Sequence, residues 1–128
     1  MKISHEFILY EQALELKELG FDEREECLAY YNTNPRYTKP AFDMVKPFDH
    51  EFCLLAPLYQ QAFRWFREKY SINSWIINAE DNNNAFKPFF RGNNIDEHLV
   101  DFYNTYEEAE LARLKKLIEI AKTSNYDK

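Results

Sequence analysis

The chain has 128 residues, enough for one domain with a genuine core, and carries 22 acidic against 16 basic residues for a formal charge of −6. Its two glycines, Gly20 and Gly92, lie far apart, so no G-x-G-x-x-G, Walker A or G-x-S-x-G loop exists, and the dinucleotide, P-loop and nucleophile-elbow chemistries are excluded. The acidic balance argues against a nucleic-acid partner, and no stretch approaches the roughly 20 apolar residues of a membrane span.

Residues 10–19 predict a helix, with Leu9, Ala13, Leu16 and Leu19 near one face. Gly20 is placed to end it in a left-handed conformation, with Phe21 folding back on Leu16. The preceding Phe7-Ile8-Leu9 fits either a short strand or an early helical turn. Residues 27–31, CLAYY, read as a strand, and Asn32-Thr33-Asn34-Pro35 as a turn. Pro35, Pro40 and Pro47 confine the next stretch to edge strand or loop, with a strand expected around 41–46.

The clearest helix covers 57–70, with Pro57 at its entry. Tyr59, Phe63, Phe66 and Tyr70 form an aromatic stripe that Leu58, Ala62 and Trp65 widen, while Gln60, Arg64 and Arg67 take the other side. Residues 72–79 and 85–91 predict an antiparallel strand pair around an Asp/Asn turn, with Pro88 marking an edge. Thr105 and Glu108 make a capping box for a last helix over 105–122, whose buried stripe is Leu111, Leu114, Leu117, Ile118 and Ala121, and residues 123–128 should fray.

YEQA at Tyr10, YQQA at Tyr59 and YEEA at Tyr106 recur at offsets of 49 and 47 residues, each opening a helix. This patterning predicts a helix–hairpin unit used twice, over 10–55 and 59–92, closed by the last helix; the alternative is convergence on generic helix-start residues. Either way the order is α-ββ-α-ββ-α, a small single α+β domain with three helices against an antiparallel sheet.

YEQALELKELGFDE, PLYQQAFRWFREKY and TYEEAELARLKKLIEIAK resemble stretches in a group of short proteins from Bacteroidota and their phages and other mobile elements. The matching stretches cover roughly 45 residues. Members of that group tend to carry Pro and Cys soon after GFDE, where this chain has Arg24 before Cys27. The resemblance implies a phage or mobile-element setting and transfers no site residue.

Three candidate chemistries stand out. Asp49-His50-Glu51 and Asp96-Glu97-His98 hold metal-ligand types; His50 and His98 with Asp49 and Asp96 would make a His₂-carboxylate set if the two loops met, and a metal-dependent hydrolase would follow. Otherwise both are solvated loops. Gln60, Arg64 and Arg67, with Trp75 or Arg91, could hold a small anionic nucleotide by guanidinium pairing and ring stacking; the plain alternative is a solvated helix face balanced by Glu68 and Lys69. Cys27 and Cys53 read as reduced packing thiols of a cytoplasmic protein, and residues 1–6 predict no secretory signal.

The third candidate is the ring content, nine Tyr, eleven Phe and two Trp, or 17% of the chain. Tyr30, Tyr31, Tyr37, Phe42, Phe48, Phe89, Phe90, Phe102 and Tyr103 fall in or near strands and loops, and a domain this small cannot bury them all. The leading expectation is therefore a non-enzymatic, cofactor-free interaction module that binds stoichiometrically either a host or phage protein or a copy of itself as a homo-oligomer, in the host cytoplasm if phage-encoded.

Overall fold

The three Tyr-x-x-Ala tetrapeptides mark the helix starts in the computed structural model, which describes residues 6–36, 38–44, 52–78, 85–92 and 101–126. The elements are α1 (Tyr10–Glu18), a 3-10 turn (Arg24–Glu26), β1 (Tyr30–Asn32), β2 (Ala41–Asp43), β3 (Cys53–Leu55), α2 (Tyr59–Tyr70), β4 (Asn73–Asn78), β5 (Phe86–Arg91) and α3 (Tyr106–Tyr126). Each helix opens on the tyrosine, and the alanine one turn in, Ala13, Ala62 or Ala109, is buried. This is the expected α+β class, with every paired strand antiparallel. The described strands form two small sheets instead of one. By its contacts the chain divides into two compact units, Met1–Gln61 and Ala62–Lys128.

In the first unit α1 ends as its sequence predicts. The Phe21 N–H bonds the Leu16 carbonyl at 2.9 Å and the Gly20 N–H bonds that of Lys17 at 3.0 Å. This Schellman ending needs the φ of 99° that Gly20 adopts without a Cβ clash. The sheet runs β2-β1-β3, pairing Tyr31 with Phe42 on one side and with Leu54 on the other. Two strand expectations need correction. β1 lies at 30–32, not 27–31, because the 3-10 turn over 24–26 still holds Cys27, whose N–H bonds the Arg24 carbonyl at 3.3 Å. β3 is an additional strand, so the first helix is followed by three strands and not two. The Phe7-Ile8-Leu9 segment resolves as extended chain, with Phe7 bridged to Leu58 and Ile8 N–H on the Pro57 carbonyl. Phe7, Ala29 and Ala56 form a core that Tyr31, Phe42 and Leu58 enclose. The Tyr31 hydroxyl reaches it by donating to the Ile8 carbonyl at 2.7 Å.

In the second unit the aromatic stripe of α2 is buried as expected, with Phe63, Trp65 and Phe66 inside. α2 exits through Ser71, a non-glycine residue at φ 57°. The Thr105 hydroxyl accepts the Glu108 N–H at 3.1 Å, the capping-box bond that starts α3. Leu114, Leu117, Ile118 and Ala121 bury its apolar stripe against the β4–β5 hairpin. α3 continues to Tyr126, past the position where fraying was expected. Among the described residues, no helix is long and apolar enough to cross a membrane.

Candidate functional site

The hairpin has two unlike faces. Strand alternation puts Ser74, Ile76 and Asn78 with Phe86, Pro88 and Phe90 on the side that α3 covers. Pro88 and Phe90 are buried there, and Phe86 meets Tyr106 edge-on at 6.0 Å. Arg113 reaches up from α3 to fasten this side. Its guanidinium lies 3.6 Å from the Phe63 ring centre and donates to the Ser74 hydroxyl at 2.7 Å and the Ser74 carbonyl at 2.8 Å. Burial, reinforced by nearby Arg67, lowers its pKa to about 10, which still leaves it charged at neutral pH.

The opposite face carries Asn73, Trp75 and Ile77 from β4 against Arg91, Phe89 and Lys87 from β5. Trp75 is 38% exposed and Ile77 44%. The Trp75 and Phe89 rings stack with centres 6.0 Å apart and planes 13° from parallel. Lys87 Nζ lies 5.4 Å from the Phe89 ring centre and 5.1 Å from that of Phe102, bringing Phe102, 57% exposed, onto the same face. The result is a patch of three rings and Ile77, with Trp75, Ile77 and Phe102 exposed and Phe89 half-buried, bordered by Lys87 and Arg91. No carboxylate stands among the β4 and β5 residues of this face, although the whole chain is acidic.

The residues expected to bind an anion fall as follows. Trp75 and Arg91 lie on this face, two positions apart along the hairpin. Gln60 and Arg67 are exposed on α2, and Arg64 pairs with Glu68 at 3.8 Å. Asp49, His50, Asp96 and His98 lie outside the described residues. Among the described residues, no group of three or more metal-binding side chains occurs. Of the rings expected near edges, Tyr30 and Phe90 are buried, and Tyr37 and Phe48 lie outside the described residues. Ile77 and Lys87 are absent from the sequence-based candidates, yet the alternation of NSWIIN against FKPFFR carries the signal, since it places them opposite one another on one face.

The first unit holds a cleft of about 350 Å³ beside the end of α1, lined by Lys17, Asp22, Arg24 and Cys53 among others. The negative end of the α1 dipole and the Asp22 carboxylate offset its two cations. Neither Cys27 nor Cys53 forms a disulfide among the described residues. Burial, with Glu23 and Glu26 nearby, raises the Cys27 thiol to about 12, which makes it inert as a nucleophile.

No protein-family model, curated protein or solved structure matches the chain.

Proposed function

We propose that the chain is a non-enzymatic interaction module, an accessory protein of a phage or mobile element, that grips an acidic protein partner with the uncovered face of the β4–β5 hairpin. The observation that carries this reading is the exposed Trp75–Phe89 stack, extended by Lys87 to Phe102. Large rings held rigidly lose little entropy on binding, which is why Trp and Tyr dominate binding hot spots. Lys87 and Arg91 make the patch locally positive in a chain of −6, so the complementary surface is an apolar centre with an acidic rim.

The test is affinity capture from host lysate, followed by titration of the purified captured protein against wild type, Trp75→Ala and Lys87→Glu. The expected result is a stoichiometric complex weakened at least about tenfold by either substitution and weakened by salt. Equal binding by all three proteins overturns the reading. The same stack beside Arg91 supports a second reading, a base stacked on Trp75 with its phosphate on Arg91. A nucleotide panel that raises the melting temperature of wild type but not of Trp75→Ala would favour it.

A further inference from the structure

We infer that two copies of the chain join through the free edge of β4, making one four-stranded antiparallel sheet. The ladder itself shows which backbone groups are available. Phe86 gives both its N–H and its C=O to Tyr103, at 2.9 and 2.7 Å, so both point away from β4. Phe86 is paired with Asn78, and in an antiparallel ladder hydrogen-bonded and non-bonded pairs alternate. Asn73, Trp75 and Ile77 therefore bond across to Arg91, Phe89 and Lys87, while the polar groups of Ser74, Ile76 and Asn78 point outward. Pro88, opposite Ile76, fits this parity, because its missing N–H falls where β4 requires no donor.

One outward carbonyl is occupied, that of Ser74, which Arg113 Nη2 holds at 2.8 Å. Among the described residues, no backbone hydrogen bond meets the outward groups of Ile76 and Asn78. Exposed edges are normally blunted by charge, proline or a bulge. β4, NSWIIN, has none of these over its six residues. Its lack of charge makes it self-complementary: a second β4 brings no like charges into register.

The occupied Ser74 carbonyl selects the pairing. With the twofold axis between the two Ile77 residues, Ile76 of one copy pairs with Asn78 of the other, and four hydrogen bonds form without using Ser74. Ile77 then faces its twin in the close, non-bonded pair on the exposed face. Lys87, the partner of Ile77 in β5, is separated from its own twin by three strand spacings, about 14 Å, beyond a Debye length of about 8 Å. Stacking two hairpins face to face would instead bring Lys87 and Arg91 of both copies together. Charge therefore favours edge pairing as the route to self-association, and it leaves the Trp75–Phe89–Phe102 surface open in both copies.

The experiment is sedimentation velocity with amide hydrogen exchange over a concentration series, on wild type, Asn78→Pro and Phe102→Ala. Wild type should approach twice 15.5 kDa at hundreds of micromolar, with the Ile76 and Asn78 amides slowing as concentration rises. Asn78→Pro removes two of the four donors and should raise the dimer dissociation constant at least about tenfold. Phe102→Ala, away from the edge, should leave it unchanged; this separates failure of the dimer from failure of the proposed partner surface. If Asn78→Pro does not fold, the wild-type exchange series still decides. A wild-type monomer with concentration-independent exchange overturns the inference, as does a dimer that Asn78→Pro leaves intact. Protection of these amides only on adding a different protein assigns the edge to that protein and also overturns self-pairing.

Discussion

Ser71 sits in a backbone region that its residue type ordinarily avoids, and Cys27 is a packing thiol whose burial couples its ionisation to unfolding. Ser71 adopts φ 57° where α2 hands over to β4, and a Cβ in that region costs about 1 kcal/mol or more. Ser71→Gly should therefore stabilise the chain by roughly 1 kcal/mol, read as a higher urea midpoint at unchanged m-value. Cys27 is buried, and its thiol is raised from 9.0 to about 12 by desolvation first and by Glu23 and Glu26 next. An acid whose folded pKa is raised leaves stability intact below its unfolded pKa. As pH climbs from 9 toward about 12, the unfolded chain ionises first and stability falls, at up to about 1.4 kcal/mol per pH unit. Tyr31, also raised by burial, adds to the same decline. Alkaline melts of Cys27→Ala should show a shallower slope than wild type. At pH 8 a thiol reagent should label Cys53 in the folded chain and reach Cys27 only on unfolding.

At the scale of elements, the helices were the most legible feature of the sequence. Their starts carry a tyrosine, a Gln or Glu two residues on and an alanine that must face inward, and their ends carry Gly20 or a polar break. The repeated glutamine nevertheless acts differently each time. Gln61 Oε1 accepts the Leu58 N–H at 2.8 Å while its amide donates to the Glu26 carbonyl. Gln12, 5% exposed, has no hydrogen-bond partner for its Oε1 among the described residues. The strands of the first unit were less legible because each is only three residues long. Over three residues, Cys53-Leu54-Leu55 cannot show alternation, and Asn32, which reads as a turn residue, is held in β1 by neighbours on both sides. The hairpin was legible because six residues on each side display the period of two. What no local pattern could reveal was Arg113, 39 positions from the serine it holds. Arg113→Lys loses the stacked guanidinium and its fork to Ser74, and should destabilise the chain by about 2 kcal/mol, measured by urea unfolding.

For the whole molecule, the residues of interest divide by how they are placed. Trp75 and Arg91, chosen from the sequence for stacking and charge, do share a face, because strand alternation is enough to put them there. Gln60, Arg64 and Arg67 share only the polar side of α2, which the helical period alone predicts. Phe102 joins the exposed patch through tertiary structure: the Tyr103–Phe86 bridge swings it beside Lys87. The ring excess is divided accordingly. Tyr59, Phe63, Trp65 and Phe66 fill interior space, whereas Trp75 and Phe102 remain exposed.

The hold of Arg113 on Ser74 also has a temporal side. Translation delivers NSWIIN first, then β5, and the arginine only 39 positions after the serine. Through that interval the nascent segment is an uncharged, strand-forming stretch with neither its cover nor its clasp, the kind that neighbouring polysomes can knit together. The order in which the gene is read thus makes α3, synthesised after both strands, the element that ends this vulnerable window.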